Sequence, residues 1–165
     1  MKNISIPSII DIEASGFGTS SYPIEVGIIR SDGQRYCKLI RPFDDWIFWD
    51  NQAQKIHGIS RELLRSNGES GVQVCLELNA FLGHGNVFSD GWVVDSPWLK
   101  TLFARAQVKM AFQISALEMI LKETQIDIWD TTKQQVISSL GIARHRASND
   151  ALIVQQTYID TKCNI

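Results

Sequence analysis

The stretch SIIDIEASGFG, residues 8–18, constrains the fold most, because it places two carboxylates inside an apolar run. The run predicts a strand in the interior of a sheet. Residues two apart on a strand face the same side, so Asp11 and Glu13 lie together while Ile10 and Ile12 face the opposite side. Two like charges beside a core are costly unless something positive compensates them. The pattern therefore predicts an acidic pair whose usual partner is a divalent cation.

The remaining pattern predicts an α/β fold. Three strands come first (7–13, 23–30 and 34–40), and helices and strands then alternate, which is typical of a mixed sheet covered by helices. A long aromatic-rich connection is predicted over 42–60, followed by a helix capped by Ser60. The later segments predict a helix at 70–82, a strand, turn and helix within 86–106, a fifth strand near 110–114, and helices near 115–124, 130–140 and 148–161.

Length and composition set further limits. The 165 residues, 44% of them hydrophobic, predict a single soluble domain over 1–165. Three widely spaced cysteines are typical of a reducing cytosol, and no signal peptide or membrane span is predicted, so we expect a cytoplasmic protein. The net charge is −2 and no Lys/Arg run exceeds two residues. If the chain binds nucleic acid, we therefore expect it to hold a short end rather than a long duplex.

Two further acids and a histidine need an explanation. Asp95 is predicted at the entrance of a helix, with Ser96 as its cap and Pro97 in its first position. Asp150 falls in the first turn of the last helix. For each acid taken alone, a purely structural role as a cap or a partner of the helix dipole is as good an explanation as a functional one. His145 precedes Asp150 by five residues, about 140° away on a continuous helix at ~100° per residue. Only a His145 in the preceding loop would aim at the same point as Asp150.

Taken in order, these segments resemble a known family. DIEASG (11–16), the Asp of DSPWL (95–99) and HRASND (145–150) are similar to the three motifs of the DEDDh exonuclease superfamily. KIHGIS (55–60) resembles a further segment of these enzymes, and the resemblance spans about residues 7–160. It implies a ribonuclease H-like fold and 3′-to-5′ hydrolysis of single-stranded nucleic acid to nucleoside 5′-monophosphates.

The resemblance also implies a role for each site residue. Two divalent cations, Mg²⁺ or Mn²⁺, would be held by Asp11, Glu13, Asp95 and Asp150, and His145 would be the general base. Many relatives carry an Asn four residues before the Asp of the second motif. This chain instead has Asp90 at a different offset, and we prefer Asp95 as the ligand because an apolar helix follows it.

The terminal nucleotide would lie against Ser15, Gly16 and Phe17, with His57 at its border. Simpler interpretations stay open: Gly16 as a turn residue, Phe17 as core packing, and His57 as a hydrogen-bonded residue that holds the 42–60 loop. Most tryptophans are expected to fill the core, Trp98 among them. The two in the long loop, Trp46 and Trp49, are kept as substrate or interface candidates.

The expected partners are single-stranded 3′ ends of DNA or RNA, or short oligonucleotides. The sequence does not choose between DNA and RNA, and small enzymes of this kind are often homodimers. Two alternatives stay open: a catalytically weak nucleic-acid-binding or partner-docking module on the same fold, and a metal hydrolase with another substrate. The presence of all four acids and the histidine argues against the first. The EASGF turn makes the second less attractive.

Overall fold

The computed structural model describes residues 5–163. Its centre is a mixed sheet in the strand order β3-β2-β1-β4-β5. β1 pairs antiparallel with β2, and β2 with β3, whereas β1, β4 and β5 are parallel to one another. The strands are Ser8–Ala14 (β1), Pro23–Ile29 (β2), Arg35–Leu39 (β3), Asn86–Ser89 (β4) and Gln113–Ala116 (β5).

Helices cover both faces of the sheet. One face packs on the buried side chains of α3 and α4, and the other packs on α6, which in turn contacts α5. The predicted α/β fold, a mixed five-stranded sheet flanked by helices, is confirmed. Within residues 5–163 no helix is both long enough and apolar enough to span a bilayer. The helices are Asn51–His57 (α1), Arg61–Asn67 (α2), Gly71–Leu82 (α3), Trp92–Ala106 (α4), Glu123–Leu140 (α5) and Ala147–Cys163 (α6), with a short 3₁₀ helix at Leu117–Ile120.

The two faces of β1 carry different residues, as its alternation predicts. Ile10 and Ile12 are buried in the core that β1 shares with α3 and α4. Ile9 is buried on the other face, against α6. Asp11 and Glu13 continue the Ile9 face because they follow it at intervals of two. The acidic pair therefore points to the side of the sheet that α6 covers.

The connection predicted over 42–60 contains the helix α1, which the sequence analysis missed. Asp50 caps this helix by accepting the Gln52 N–H at 2.8 Å, and Gly58 ends it with a left-handed φ of 71°. A helix of seven residues makes two turns, too few for a 3.6-residue apolar repeat to be recognised.

Helix α4 begins earlier than predicted. It starts at Trp92, and the Gly91 carbonyl accepts the Asp95 N–H at 3.0 Å. Pro97 lies inside the helix and Ser96 does not cap it, so that part of the prediction is wrong. Proline is favoured at a first helical position but tolerated elsewhere when the surrounding packing compensates the lost hydrogen bond. Asp95 is still in the first turn.

The helices predicted near 115–124 and 130–140 are also corrected. The first is reduced to the 3₁₀ helix Leu117–Ile120, and the second extends over the whole of Glu123–Leu140. The N-terminal half of α5 is mostly polar and exposed, so its apolar periodicity is weak. The predicted end at Gly141 is observed, with a left-handed φ of 57°.

Candidate active site

A cavity of about 300 Å³ lies where the parallel strands β1 and β4 end. The carboxyl ends of parallel strands are the usual location of ligand sites in α/β folds. Residues that are far apart in the sequence meet here because β1, α4 and α6 all reach this edge. The ionisable side chains that line the cavity are Asp11, Glu13, His57, Asp95, His145 and Asp150.

Asp11 and Glu13 contribute two carboxylates to one wall. Burial is the main reason why the pKa of Asp11 is well above its ordinary value, and the neighbouring Asp95 and Glu13 raise it further. Burial also raises the pKa of Glu13 to about 8, with added repulsion from Asp150 and Glu25. Burial and repulsion therefore disfavour the ionised forms of these two carboxylates, and no positive charge in the surrounding side chains of residues 5–163 fully offsets that cost.

Asp95 reaches the cavity from the first turn of α4. Its side chain is 3% exposed, and Oδ2 accepts a hydrogen bond from the Ser89 hydroxyl at 2.6 Å. Burial raises the pKa of Asp95 to about 7, although this hydrogen bond opposes the shift. Asp90, the competing candidate, does not line the cavity and accepts a hydrogen bond from Lys133 Nζ at 2.7 Å. Of the two acids, Asp95 is the one that lines the cavity.

His145 lies in the loop before α6, which allows it to approach Asp150. Its backbone has a left-handed φ of 60°, and its N–H donates to Asp150 Oδ2 at 3.1 Å. A ring nitrogen of His145 and one carboxylate oxygen each of Glu13 and Asp150 lie within 4.8 Å of one another. The guanidinium of Arg144 donates to the other oxygen of Asp150 at 2.8 Å.

The turn after β1 supplies an apolar wall. Gly16 lines the cavity, and a Cβ added there would lie 2.8 Å from side-chain atoms of Phe48 and Asp50, so this position requires glycine. Phe17 also lines the cavity and is 70% exposed, which excludes the interpretation as core packing. Ser15 is fully buried and does not line the cavity, because its hydroxyl accepts the Tyr22 N–H at 3.1 Å.

His57 both makes a structural hydrogen bond at the end of the 42–60 connection and lines the cavity. Its Nδ1 accepts the Ile59 N–H at 3.0 Å, which fastens the chain just after α1. The same ring lines the cavity, and its Nε2 is buried without a hydrogen-bond partner among residues 5–163. Burial also lowers the pKa of His57. Because Nδ1 accepts, the neutral ring carries its proton on Nε2 and can donate it.

Of the three tryptophans discussed from the sequence, one lines the cavity and the other two do not. Trp46 stacks on Tyr22 at 5.0 Å between ring centroids, and Trp49 donates to Gln54 at 2.8 Å; neither lines the cavity. Trp98 packs against the core, as expected, and also lines the cavity with its ring 6.1 Å from that of Phe17. Helical spacing could not reveal this, because it does not tell which end of a core-facing helix borders a cleft. Six further lining residues were also missed: Ile12, Ala14, Ala53, Ile56, Gly91 and Val94.

Comparison with known proteins gives similarity in structure only. No sequence profile of a known family matches the chain, and no curated protein matches it. E. coli Exonuclease I in complex with a dA16 oligonucleotide superimposes with a TM-score of 0.69 at 14% identity over 93% of this chain. An apo form of Exonuclease I gives 0.68 at 14% over 93% of this chain. The zinc-bound complex of the E. coli enzyme with single-stranded DNA gives a TM-score of 0.66, again at 14% identity over 93% of this chain.

The chain spans only about 40% of the length of these Exonuclease I chains, with values of 40%, 41% and 39%. At 14% identity the likeness establishes the fold and not the activity. The mixed five-stranded sheet flanked by helices thus matches the ribonuclease H-like exonuclease fold of Exonuclease I, as the sequence predicted.

Proposed function

We propose that the chain is a DEDDh-type exonuclease in which residues 1–165 form one domain. It removes nucleotides from single-stranded 3′ ends or short oligonucleotides. The observation that carries this proposal is the convergence of four carboxylates and the imidazole of His145 in a single cavity. The fold shared with Exonuclease I supports it, because the cavity lies on the same framework.

The donor set fits divalent cations. Burial and mutual repulsion raise the pKa values of Asp11, Glu13 and Asp95, so a positive partner would stabilise their ionised forms. Carboxylate oxygens are the ligands that Mg²⁺ and Mn²⁺ prefer. We assign two such cations to Asp11, Glu13, Asp95 and Asp150. When bound, they supply Lewis-acid stabilisation of the phosphate oxygens and a more acidic water.

His145 is the general base in this proposal. Its ring nitrogen faces the same space as the carboxylates of Glu13 and Asp150, and it accepts the proton of the attacking water. The water oxygen bonds to phosphorus, the bond from phosphorus to the 3′-oxygen of the shortened strand breaks, and that oxygen takes a proton from solvent to become a 3′-OH. A nucleoside 5′-monophosphate leaves. Asp150 also orients the segment that carries the base, because its Oδ2 accepts a hydrogen bond from the His145 backbone N–H.

The wall formed by Gly16, Phe17 and Trp98 binds the terminal nucleoside in this proposal. Phe17 and Trp98 offer aromatic surface to a base, and Gly16 allows the sugar to approach the backbone. We assign the Nε2–H of His57, which is buried and has no hydrogen-bond partner within residues 5–163, as a donor to an oxygen of the nucleotide. A volume of about 300 Å³ is at the lower end for ligand pockets and suits one nucleotide. Single-stranded DNA is the first substrate to test, because the Exonuclease I structures contain it.

A digestion panel tests the proposal. Oligonucleotides of single-stranded DNA and RNA, and their duplexes, carry a 5′ label and are incubated with Mg²⁺ or Mn²⁺. We expect a ladder that shortens from the 3′ end and disappears in EDTA. Asp11→Asn should remove the activity. Asp32→Asn, at the exposed β2–β3 turn, is the matched control and should retain it. Full activity in EDTA would refute the metal-dependent mechanism.

A further inference from the structure

A buried carboxylate outside the cavity fastens the segment that carries His145 and Asp150. Glu25 on β2 is fully buried and does not line the cavity. Its oxygens accept hydrogen bonds from Arg146 Nε at 3.1 and 3.2 Å and from Nη2 at 2.7 Å. They also accept the Ala147 N–H at 2.9 Å, the first amide of α6.

A buried carboxylate is tolerated when a charge partner and hydrogen bonds satisfy it, and removal of either side is then strongly unfavourable. Glu25 meets this condition through one guanidinium and one helix N-terminal amide. An anion at this end of a helix is also favoured by the helix dipole. The contact therefore fixes the N terminus of α6 relative to the sheet.

Gly27 lies two residues further along the same face of β2. A Cβ built at Gly27 would be 2.0 Å from the Ser148 nitrogen and 2.2 Å from the Ala147 carbonyl carbon. No side chain fits at this distance, and the obstacles are backbone atoms that cannot rotate away. The first turn of α6 therefore rests directly on the backbone of β2.

This contact is close to the acidic pair. Glu25 is the cross-strand partner of Glu13 in the β1–β2 ladder. The N terminus of α6 thus contacts β2, the strand next to β1, which carries the Glu13 carboxylate that Asp150 and His145 must face. Arg146 and Ala147 are the residues that Glu25 holds, and they directly follow His145 in the chain.

We propose that Glu25 and Gly27 are positioning residues of the site. They set the placement of His145 and Asp150 and touch neither substrate nor metal. The inference rests on the proposed function for the identity of the site. In this inference β2 also determines the position of α6. A shift of α6 along or away from β2 would displace the proposed base, His145, and one proposed metal ligand, Asp150, together.

The test uses Glu25→Gln, which keeps the shape of the side chain but removes its charge and half of its acceptor capacity. Hydrogen exchange of the amides of residues 147–150 should be faster than in the wild type, and calorimetry should show weaker Mn²⁺ binding, by about 10-fold or more. In the digestion assay kcat should fall by a similar factor while KM changes little, because the nucleoside wall is untouched. Glu25→Asp, which keeps the charge, should restore part of each loss.

Glu77→Gln is the matched control. Glu77 on α3 also accepts hydrogen bonds, from Tyr36 and Gln73, and lies outside the cavity. This variant should leave Mn²⁺ affinity and kcat unchanged, even where it lowers the melting temperature. Gly27→Ala should disturb the site more than Glu25→Gln does, provided that it folds.

The outcomes separate the two proposals. A wild-type chain that binds Mn²⁺ but cleaves no oligonucleotide refutes the proposed function, while the exchange and calorimetry results still test the role of Glu25. A folded Glu25→Gln variant with wild-type exchange at 147–150, wild-type Mn²⁺ affinity and wild-type kcat overturns the positioning role. Losses no larger than those of Glu77→Gln would overturn it as well.

Discussion

The hydroxyl of Ser89 donates a hydrogen bond of 2.6 Å to Asp95 Oδ2, and both side chains are buried. The same hydroxyl accepts the Gly91 N–H at 2.9 Å. The last residue of β4 thereby fixes both the turn that follows it and the carboxylate in the first turn of α4. Asp90 projects from the same turn but pairs with Lys133. This arrangement directs Asp95 to the cavity and Asp90 away from it.

The first prediction compares these two acids. Asp95→Asn should abolish turnover, because it removes a metal ligand, and should leave the circular dichroism spectrum unchanged. Asp90→Asn breaks an ion pair beside the site and should keep most of the rate. Digestion of a 5′-labelled oligonucleotide by both variants measures the difference. An active Asp95→Asn and an inactive Asp90→Asn would place the second motif at Asp90.

The second prediction concerns the stability of the metal-free protein. In the folded chain the pKa of Glu13 is raised to about 8 and that of Asp95 to about 7, from ordinary values of 4.5 and 3.8. The folded state therefore holds more protons than the unfolded state between those limits. The contribution of these two groups to the free energy of unfolding is therefore largest below their ordinary pKa values. It is lost as pH rises through their pKa values in the folded chain.

Thermal melts in EDTA should accordingly show a melting temperature that decreases from about pH 5 to about pH 8. Addition of Mn²⁺ near neutral pH should reverse the decrease, because the cation binds only the folded site. Glu13→Gln should flatten the profile, whereas Asp32→Asn at the exposed hairpin should not change the slope over this range. A melting temperature that rises across this range in wild-type protein would contradict the pKa shifts.

Most of the framework could be predicted because it depends on local patterns. The alternation of apolar and acidic residues along β1 identified both the strand and the face that carries Asp11 and Glu13. Ser60 and Gly141 marked helix ends correctly, since caps have strong residue preferences. Such signals are contained in a few neighbouring residues.

The missed features depend on contacts between distant segments. Glu25 looked like an ordinary strand residue, and its burial is explained by Arg146 and the Ala147 N–H, which are 121 and 122 residues away. Trp98 has the spacing of a core residue, and its place at the cavity follows from where α4 meets the turn at Phe17. Pro97 was predicted at the first position of a helix, where proline is favoured. The helix instead begins after the turn at Gly91, so Pro97 lies inside it.

The third prediction concerns the base. His145→Ala should lower kcat by about 10²–10⁴-fold, the usual effect of losing a general base. Mn²⁺ affinity, measured by calorimetry, should fall much less than in Asp150→Ala, which loses a ligand. His84→Ala is the matched control, because His84 is exposed and lies outside the cavity. Wild-type turnover in His145→Ala would show that the base lies elsewhere.

The last prediction tests the nucleoside wall. Phe17 is 70% exposed although it is a large apolar residue, and its ring borders the cavity near Trp98. A base stacked on an aromatic side chain contributes about 1–3 kcal/mol, so Phe17→Ala should raise KM by about 5- to 150-fold. The fall in kcat should be smaller, because the acids and His145 remain in place.

Met119→Ala is the matched control for this variant. Met119 is 77% exposed and lies outside the cavity, so its truncation removes a similar exposed apolar surface without contact to the nucleotide. KM for single-stranded oligonucleotides should be unchanged in this variant. Phe17→Leu should fall between Phe17→Ala and the wild type, since it restores apolar contact but not stacking. Equal KM values for Phe17→Ala and Met119→Ala would show that the terminal base does not bind at this wall.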